Sequence, residues 1–243
     1  PALYVHSVVI ADMLKQNGIS PDATAGHSLG EYSALAVGGA FSFEEGLALV
    51  KERGRLMQVS GDKNPGAMAA IIGLSAAEVM EFCVLARDKG IVQPANYNSP
   101  SQTVISGSVD GVDEAMRICK EKGAKRAVKL PVSGAFHSPL MAHAVDNFEK
   151  HFNNVTFSDP VVPVYANVTG VPVNDTKEIQ TLLHNQLTHS VRWVETVENM
   201  IKDGVSRFIE VGAGKVLSGL VRRIDRSVSR SNCGTVEDIE NLI

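Results

Sequence analysis

Much that would narrow the function is scarce in this chain of 243 residues. It has three cysteines, Cys83, Cys119 and Cys233, with no metal-ligand spacing among them. So odd and sparse a set argues against a disulfide framework and points to a reducing, cytoplasmic setting. No apolar run reaches the roughly 20 residues that cross a bilayer, so no membrane partner is expected. Neither charge dominates: 23 Lys and Arg against 27 Asp and Glu leave a net charge of −4. A nucleic-acid binder would usually carry a strong basic excess, so none is expected here. Internal repeats and low-complexity tracts are also absent. The sequence does not open on methionine; it begins "PALYVHSVVIADMLKQNG" inside an amphipathic pattern. A domain rarely starts on a helix with nothing before it to pack on, so the natural N-terminus is expected upstream of Pro1.

What is present reads as a globular α/β protein. Hydrophobic residues make up 44% and charged residues 21%, enough for a sizeable core in one large domain or a large and a small one. The pattern predicts a helix over 2–17, a short strand over 22–28, a helix over 29–40 and another over 43–58. The last of these opens on the capping-box sequence Ser42–Glu45. "GDKNPG" (61–66) is expected to be a loop and domain boundary. Strand 67–74, helix 75–90, strands 91–98 and 102–108, helix 110–123 and strand 124–133 then give the order βαββαβ of a ferredoxin-like unit. Beyond it, helices are predicted over 139–152, 177–187, 193–204 and 215–225, with strands over 161–168 and 205–212. Strands alternating with helices favour a parallel sheet covered on both faces. The tail from Arg226 is polar and poorly patterned.

The chemistry concentrates in three places. Gly26-His27-Ser28-Leu29-Gly30 has the G-x-S-x-G spacing of a nucleophile elbow, in which glycines relieve crowding at a sharp strand-to-helix turn. A serine there sits at a helix N-terminus, where free N–H groups favour an oxyanion. The plainer reading, Ser28 as an N-cap in a capping box with Glu31, fits the same residues. Ser28 needs a base. His27 is adjacent but diverges at such a turn, and His6, His143, His151, His184 and His189 read as surface histidines on helices. His137, in "LPVSGAFHSPLM", lies between a strand and a helix, at the edge where α/β folds build sites; capping the following helix is its alternative. Third, at about 100° per residue Arg53 falls among Leu49, Val50, Leu56 and Met57, away from Lys51, Glu52 and Arg55. A buried guanidinium needs an anion, either an internal carboxylate or a ligand's.

The ordered set "GHSLGEYSAL", "ERGRLMQ", "GAMAAIIGL", "NYNSPSQTVISG", "KRAVKLPVSGAFHSPLM" and "EVGAGKVLSGL" spans nearly the whole chain. It resembles the malonyl-CoA:acyl-carrier-protein transacylases of fatty-acid synthesis, and is similar to the acyltransferase domains of polyketide synthases. The resemblance implies Ser28 as the nucleophile, His137 as its base and acid, and Arg53 as the group that holds the malonate carboxylate beside Met57. Gln186, in "HNQLTHSVRW", resembles the glutamine whose main-chain carbonyl orients the histidine. The Leu29 N–H resembles one half of the oxyanion hole; the family's other half lies on an opening strand and glutamine-glycine loop that this sequence does not include. Phe136, before the histidine, resembles the malonyl-preferring form of the motif. Malonyl-CoA and acyl carrier protein are the implied partners, with no cofactor or metal, and a monomer is expected. An acidic carrier would meet basic residues such as Lys120, Lys122, Lys125, Arg126, Arg222 and Arg223. The expected fold is an α/β-hydrolase-like parallel sheet domain (1–63 and 134–243) with an inserted ferredoxin-like small domain (64–133).

Two rival readings stay open on the sequence. A serine esterase or thioesterase of the α/β-hydrolase type would place its acid between serine and a late histidine, whereas over 100 residues follow His137. A truncated, non-catalytic relative that only docks carrier protein is the other.

Overall fold

A computed structural model of the chain describes residues 1–243, with every side chain except that of Asp146. In chain order the elements begin with helix α1 (Ala2–Gln16), strand β1 (Thr24–Ala25) and helices α2 (Gly30–Val37) and α3 (Phe43–Lys63). Next come β2 (Gly66–Ile72), α4 (Ala76–Leu85), β3 (Val92–Ser99), β4 (Gln102–Ser108), α5 (Val109–Glu121) and β5 (Arg126–Lys129). Then follow α6 (Ala142–Phe152), β6 (Val164–Tyr165), β7 (Pro172–Val173), α7 (Thr176–Gln186) and α8 (Trp193–Lys202). The chain closes with β8 (Arg207–Val211), α9 (Val216–Ile224), β9 (Ser229–Cys233) and α10 (Val236–Glu240). This is a mixed α/β fold with three sheets. Contacts group it into one unit of Pro1–Glu52, His151–Leu182 and Glu195–Ile243, and a second of Arg53–Lys150 and Leu183–Val194.

In the first unit, β1 runs parallel to β6, with Thr24 opposite Val164 and Ala25 opposite Tyr165. Because the two strands point the same way, the segments leaving their C-terminal ends emerge at one edge. Ser28 and Asn167 both lie there. The predicted strand 161–168 shrinks to two residues; Pro160 and Pro163 bring no N–H groups to a ladder, and Val161 is exposed. The polar tail is more ordered than its composition predicts. β9 pairs in parallel with all five residues of β8. Cys233 and Ile239 are buried in one cluster with Ile10 and Leu14 of α1, so a few apolar residues anchor a segment whose pattern looks featureless.

In the second unit, β3-β4-β2-β5 form an antiparallel sheet of four strands. Alternate residues of β2 serve its two faces. Ala67, Ala69 and Ile71 join Val79, Phe82 and Cys83 of α4 and Val112, Ala115 and Cys119 of α5. Met68 and Ala70 join Ala95, Val104 and Phe136 on the other face. Cover on both faces explains why β2 reads as an unbroken apolar run.

The loop predicted over 61–66 is a correction. α3 continues to Lys63, past the expected end at 58. Gln58 donates to Asp62 at 2.9 Å one turn on, the Asn64 N–H closes the last turn on Ser60 at 2.8 Å, and Lys63 suits the negative helix end. Pro65 then forbids a further turn. At its other end the Ser42–Glu45 box forms as predicted, and Glu45 also accepts the Thr156 N–H at 2.8 Å.

Candidate active site

Among the described residues, two other than glycine have positive φ, Ser28 at 53° and His137 at 57°. An L-residue in that left-handed region costs about 1–2 kcal/mol. Such strain persists only where the surroundings over-determine it, and it clusters at functional sites.

Ser28 belongs to the first unit, three residues beyond the end of β1. It is not a helix cap: α2 starts at Gly30, its N-cap is Leu29, and no side chain caps it. The Ser28 N–H instead donates to Asn167 Oδ1 at 2.6 Å, and Asn167 Nδ2 donates to Gly26 O at 2.6 Å. Glu31, 2% exposed, accepts the Asn167 N–H at 3.2 Å. Two neutral hydrogen bonds at about 0.5–1.5 kcal/mol each are comparable to the cost of the left-handed turn. Leu29, half-buried, places its N–H at the start of α2, where helix donors lack intrahelical acceptors. The two glycines are not equivalent, contrary to the expectation that both relieve crowding. A Cβ on Gly26 would lie 1.9 Å from Gly30 O, whereas one on Gly30 meets nothing within 4 Å.

His137, Gln186, Arg53, Met57 and Phe136 belong to the second unit. His137 is 4% exposed, and its Nδ1 lies 2.7 Å from Gln186 O. A carbonyl oxygen only accepts, so Nδ1 carries the hydrogen and Nε2 of the neutral ring is left with a lone pair. Gln93 was not singled out by sequence. Its Nε2 donates to His137 O at 3.0 Å and to Thr188 O at 3.3 Å, tying the histidine's backbone to the segment after Gln186. Ser138 Oγ donates to Ala135 O at 2.6 Å and accepts the Leu140 N–H at 3.3 Å, closing the turn beyond the ring.

Arg53 is 3% exposed while Lys51 and Arg55 on the same helix are exposed, and Met57 one turn on is half-buried. Phe136 packs on the sheet face of Met68 and Ala70. The other histidines do not all lie free on the surface: His6 Nε2 pairs with Gly234 O at 3.0 Å, and His151 Nε2 with Glu52 Oε1 at 3.1 Å. Burial pushes the Cys83 thiol up to about 12 and the Cys119 thiol up to about 11. Neither supplies a thiolate near neutral pH. Among the described residues no group of three or more His, Cys, Asp or Glu is placed to hold a metal ion, and no helix is long and apolar enough to cross a membrane.

A serine held at positive φ before a helix, in an α/β fold, has the geometry of a nucleophile elbow, the arrangement found in serine-dependent α/β enzymes. The family described as "Acyl transferase domain" matches residues 1–239, and the chain belongs to it. Its relatives include the malonyl CoA-acyl carrier protein transacylase of Bacillus subtilis (strain 168), 42% identical over 244 residues, covering 100% of this chain and 77% of that protein. The structure of an acyl carrier protein S-malonyltransferase from Vibrio cholerae matches with a TM-score of 0.97 and 42% identity, over 100% of this chain and 80% of that one. A malonyl-transacylase in complex with its type II polyketide acyl-carrier protein matches with a TM-score of 0.95 and 38% identity, over 99% and 78%.

Proposed function

We propose that the chain is a malonyl-CoA:acyl carrier protein S-malonyltransferase of fatty-acid biosynthesis. The observation that carries this reading, within the family, is that the two non-glycine residues held at positive φ among the described residues are a serine and a histidine. Ser28 Oγ attacks the malonyl thioester carbonyl while His137 Nε2 takes its proton, and the Leu29 N–H faces the oxyanion. The C–S bond then breaks, His137 returns the proton to the coenzyme A sulfur, and a malonyl-serine ester remains. The phosphopantetheine thiol of the carrier protein reverses the sequence: His137 takes the thiol proton, sulfur attacks the ester, and Ser28 Oγ leaves and is reprotonated. The Gln186 carbonyl holds the His137 tautomer and stabilises the imidazolium, as a carboxylate does in a triad. A thioester and a serine ester both store enough reactivity that the exchange calls for no metal or redox cofactor.

Arg53 holds the free carboxylate of malonate, with Met57 and Phe136 beside the acyl group. An acyl group lacking a carboxylate leaves the guanidinium without its ligand, which is the basis of discrimination. For the fold, the βαββαβ order and the strand order β3-β4-β2-β5 support a ferredoxin-like small domain over 64–133. The parallel pairs β1–β6 and β8–β9 support an α/β-hydrolase-like domain from 1–63 and 134–243. The working form is a cytoplasmic monomer that meets an acidic carrier protein through basic residues, among them the exposed Lys120, Lys122, Arg126 and Arg222.

Mass spectrometry after incubation with malonyl-CoA is expected to find one malonyl adduct, on Ser28, that holo carrier protein discharges. Hydrolysis without transfer would place the chain among the thioesterases, and no adduct would make it a binding module. Arg53→Ala is expected to lose the preference for malonyl over acetyl; equal loading of both by the wild type defeats the role given to Arg53.

A further inference from the structure

We infer that Asn167 is a positioning residue that holds the Ser28 elbow in its reactive conformation, with Glu31 holding Asn167 in turn. The inference rests on the proposed acyl transfer at Ser28. Asn167 is fully buried and reaches the elbow from the segment leaving β6, next to β1 in the sheet. Its side-chain amide spans the turn: Nδ2 donates to Gly26 O and Oδ1 accepts from the Ser28 N–H, both at 2.6 Å. One partner can only accept and the other only donate, so the orientation of the amide is fixed. Only a group that donates and accepts about 2 Å apart can fill this place, which is the geometry of a primary amide or a neutral carboxylic acid. The circuit closes through Glu31, one turn beyond Ser28, whose buried carboxylate takes the Asn167 N–H.

Two consequences follow for the reaction. The Ser28 N–H is committed to Asn167, so the oxyanion must draw on the Leu29 N–H. Ser28 also cannot relax to an ordinary backbone conformation without breaking its part-buried hydrogen bond to Asn167. Without the amide, the elbow loses the two hydrogen bonds that span it, and the hydroxyl moves away from the position the chemistry needs.

The test pairs Asn167→Ala with Asn167→Asp. A 1 Å misplacement of a reacting group costs on the order of 100-fold. For folded N167A, a fall of that order in the rate of malonyl-Ser28 formation is expected, with KM within about twofold of wild type. A rate within threefold of wild type, or a loss confined to KM, overturns the assignment. N167D keeps the size of the side chain and decides the matter if N167A does not fold. Its carboxyl can stand in for the amide only when protonated, and the Glu31 carboxylate and burial both favour that form. Glu31 is an ionisable side chain hydrogen-bonded to the Asn167 main chain. The wild-type to N167D rate ratio is therefore expected to fall as pH drops from 8 to 6; a constant ratio overturns the assignment. Amide hydrogen exchange at Ser28 gives a readout independent of activity, with protection expected in the wild type and lost on substitution. Absence of malonyl loading by the wild type would defeat the functional reading, while equal protection of the Ser28 amide in wild type and variant would defeat this one.

Discussion

Gly26→Ala tests the elbow most directly, because the structure sets its magnitude. The added Cβ would lie 1.9 Å from Gly30 O, 2.0 Å from Gly30 C and 2.6 Å from the Glu31 nitrogen, all backbone atoms at the head of α2. No rotamer change clears them, so strand end and helix start must separate by more than 1 Å. Overpacking of this kind costs about 1–3 kcal/mol. At about 2–4 °C per kcal/mol for a chain of this size, Tm is expected to fall by roughly 2–12 °C. A shift of that size at Ser28 is expected to slow acyl loading on the order of 100-fold. Gly30→Ala is the control. Its Cβ meets nothing within 4 Å, its φ is ordinary, and alanine is favoured over glycine inside a helix by up to about 1 kcal/mol. Its Tm is expected to hold or rise slightly. Differential scanning calorimetry and a stopped-flow loading assay read both variants. A G26A protein that melts within 2 °C of wild type and loads within threefold would refute the reasoning, as would greater thermal damage from G30A.

Two further predictions concern other parts of the molecule. Gln93→Leu removes the donor shared by His137 O and Thr188 O, at about 1–2 kcal/mol for partly buried carbonyls. It is expected to lower kcat about tenfold with little change in KM; unchanged kcat in steady-state kinetics would show that Gln93 does not hold His137. Hydrogen bonds from the Thr156 N–H, and then from the Ser42 hydroxyl and N–H, hold Glu45 down to about 2. Its folded value lies below the ordinary 4.3, so its stabilising effect is full above about pH 5 and is lost as pH falls toward 2. The Tm gap between wild type and Glu45→Gln is expected to close over that window, and a gap constant from pH 7 to 2.5 would contradict it.

Local pattern was enough for elements whose information is local. The Ser42–Glu45 capping box forms as spaced, and the burial of Arg53 among exposed Lys51 and Arg55 follows from helical periodicity alone. The G-x-S-x-G spacing, set between a strand and a helix, marks a sharp turn. Where partners come from far along the chain, spacing carried no such signal. The features settled that way are Asn167 holding an elbow 139 residues away, Gln93 holding the His137 backbone across 44, and β9 pairing with β8 under a polar tail. The unequal demands on Gly26 and Gly30 belong with them, because crowding depends on which backbone folds back over which Cα. Periodicity records which face of an element is covered, and by itself determined the helices, the turn and the buried arginine. Only tertiary structure decided what covers each face, and with it how Ser28 and His137 are held at positive φ.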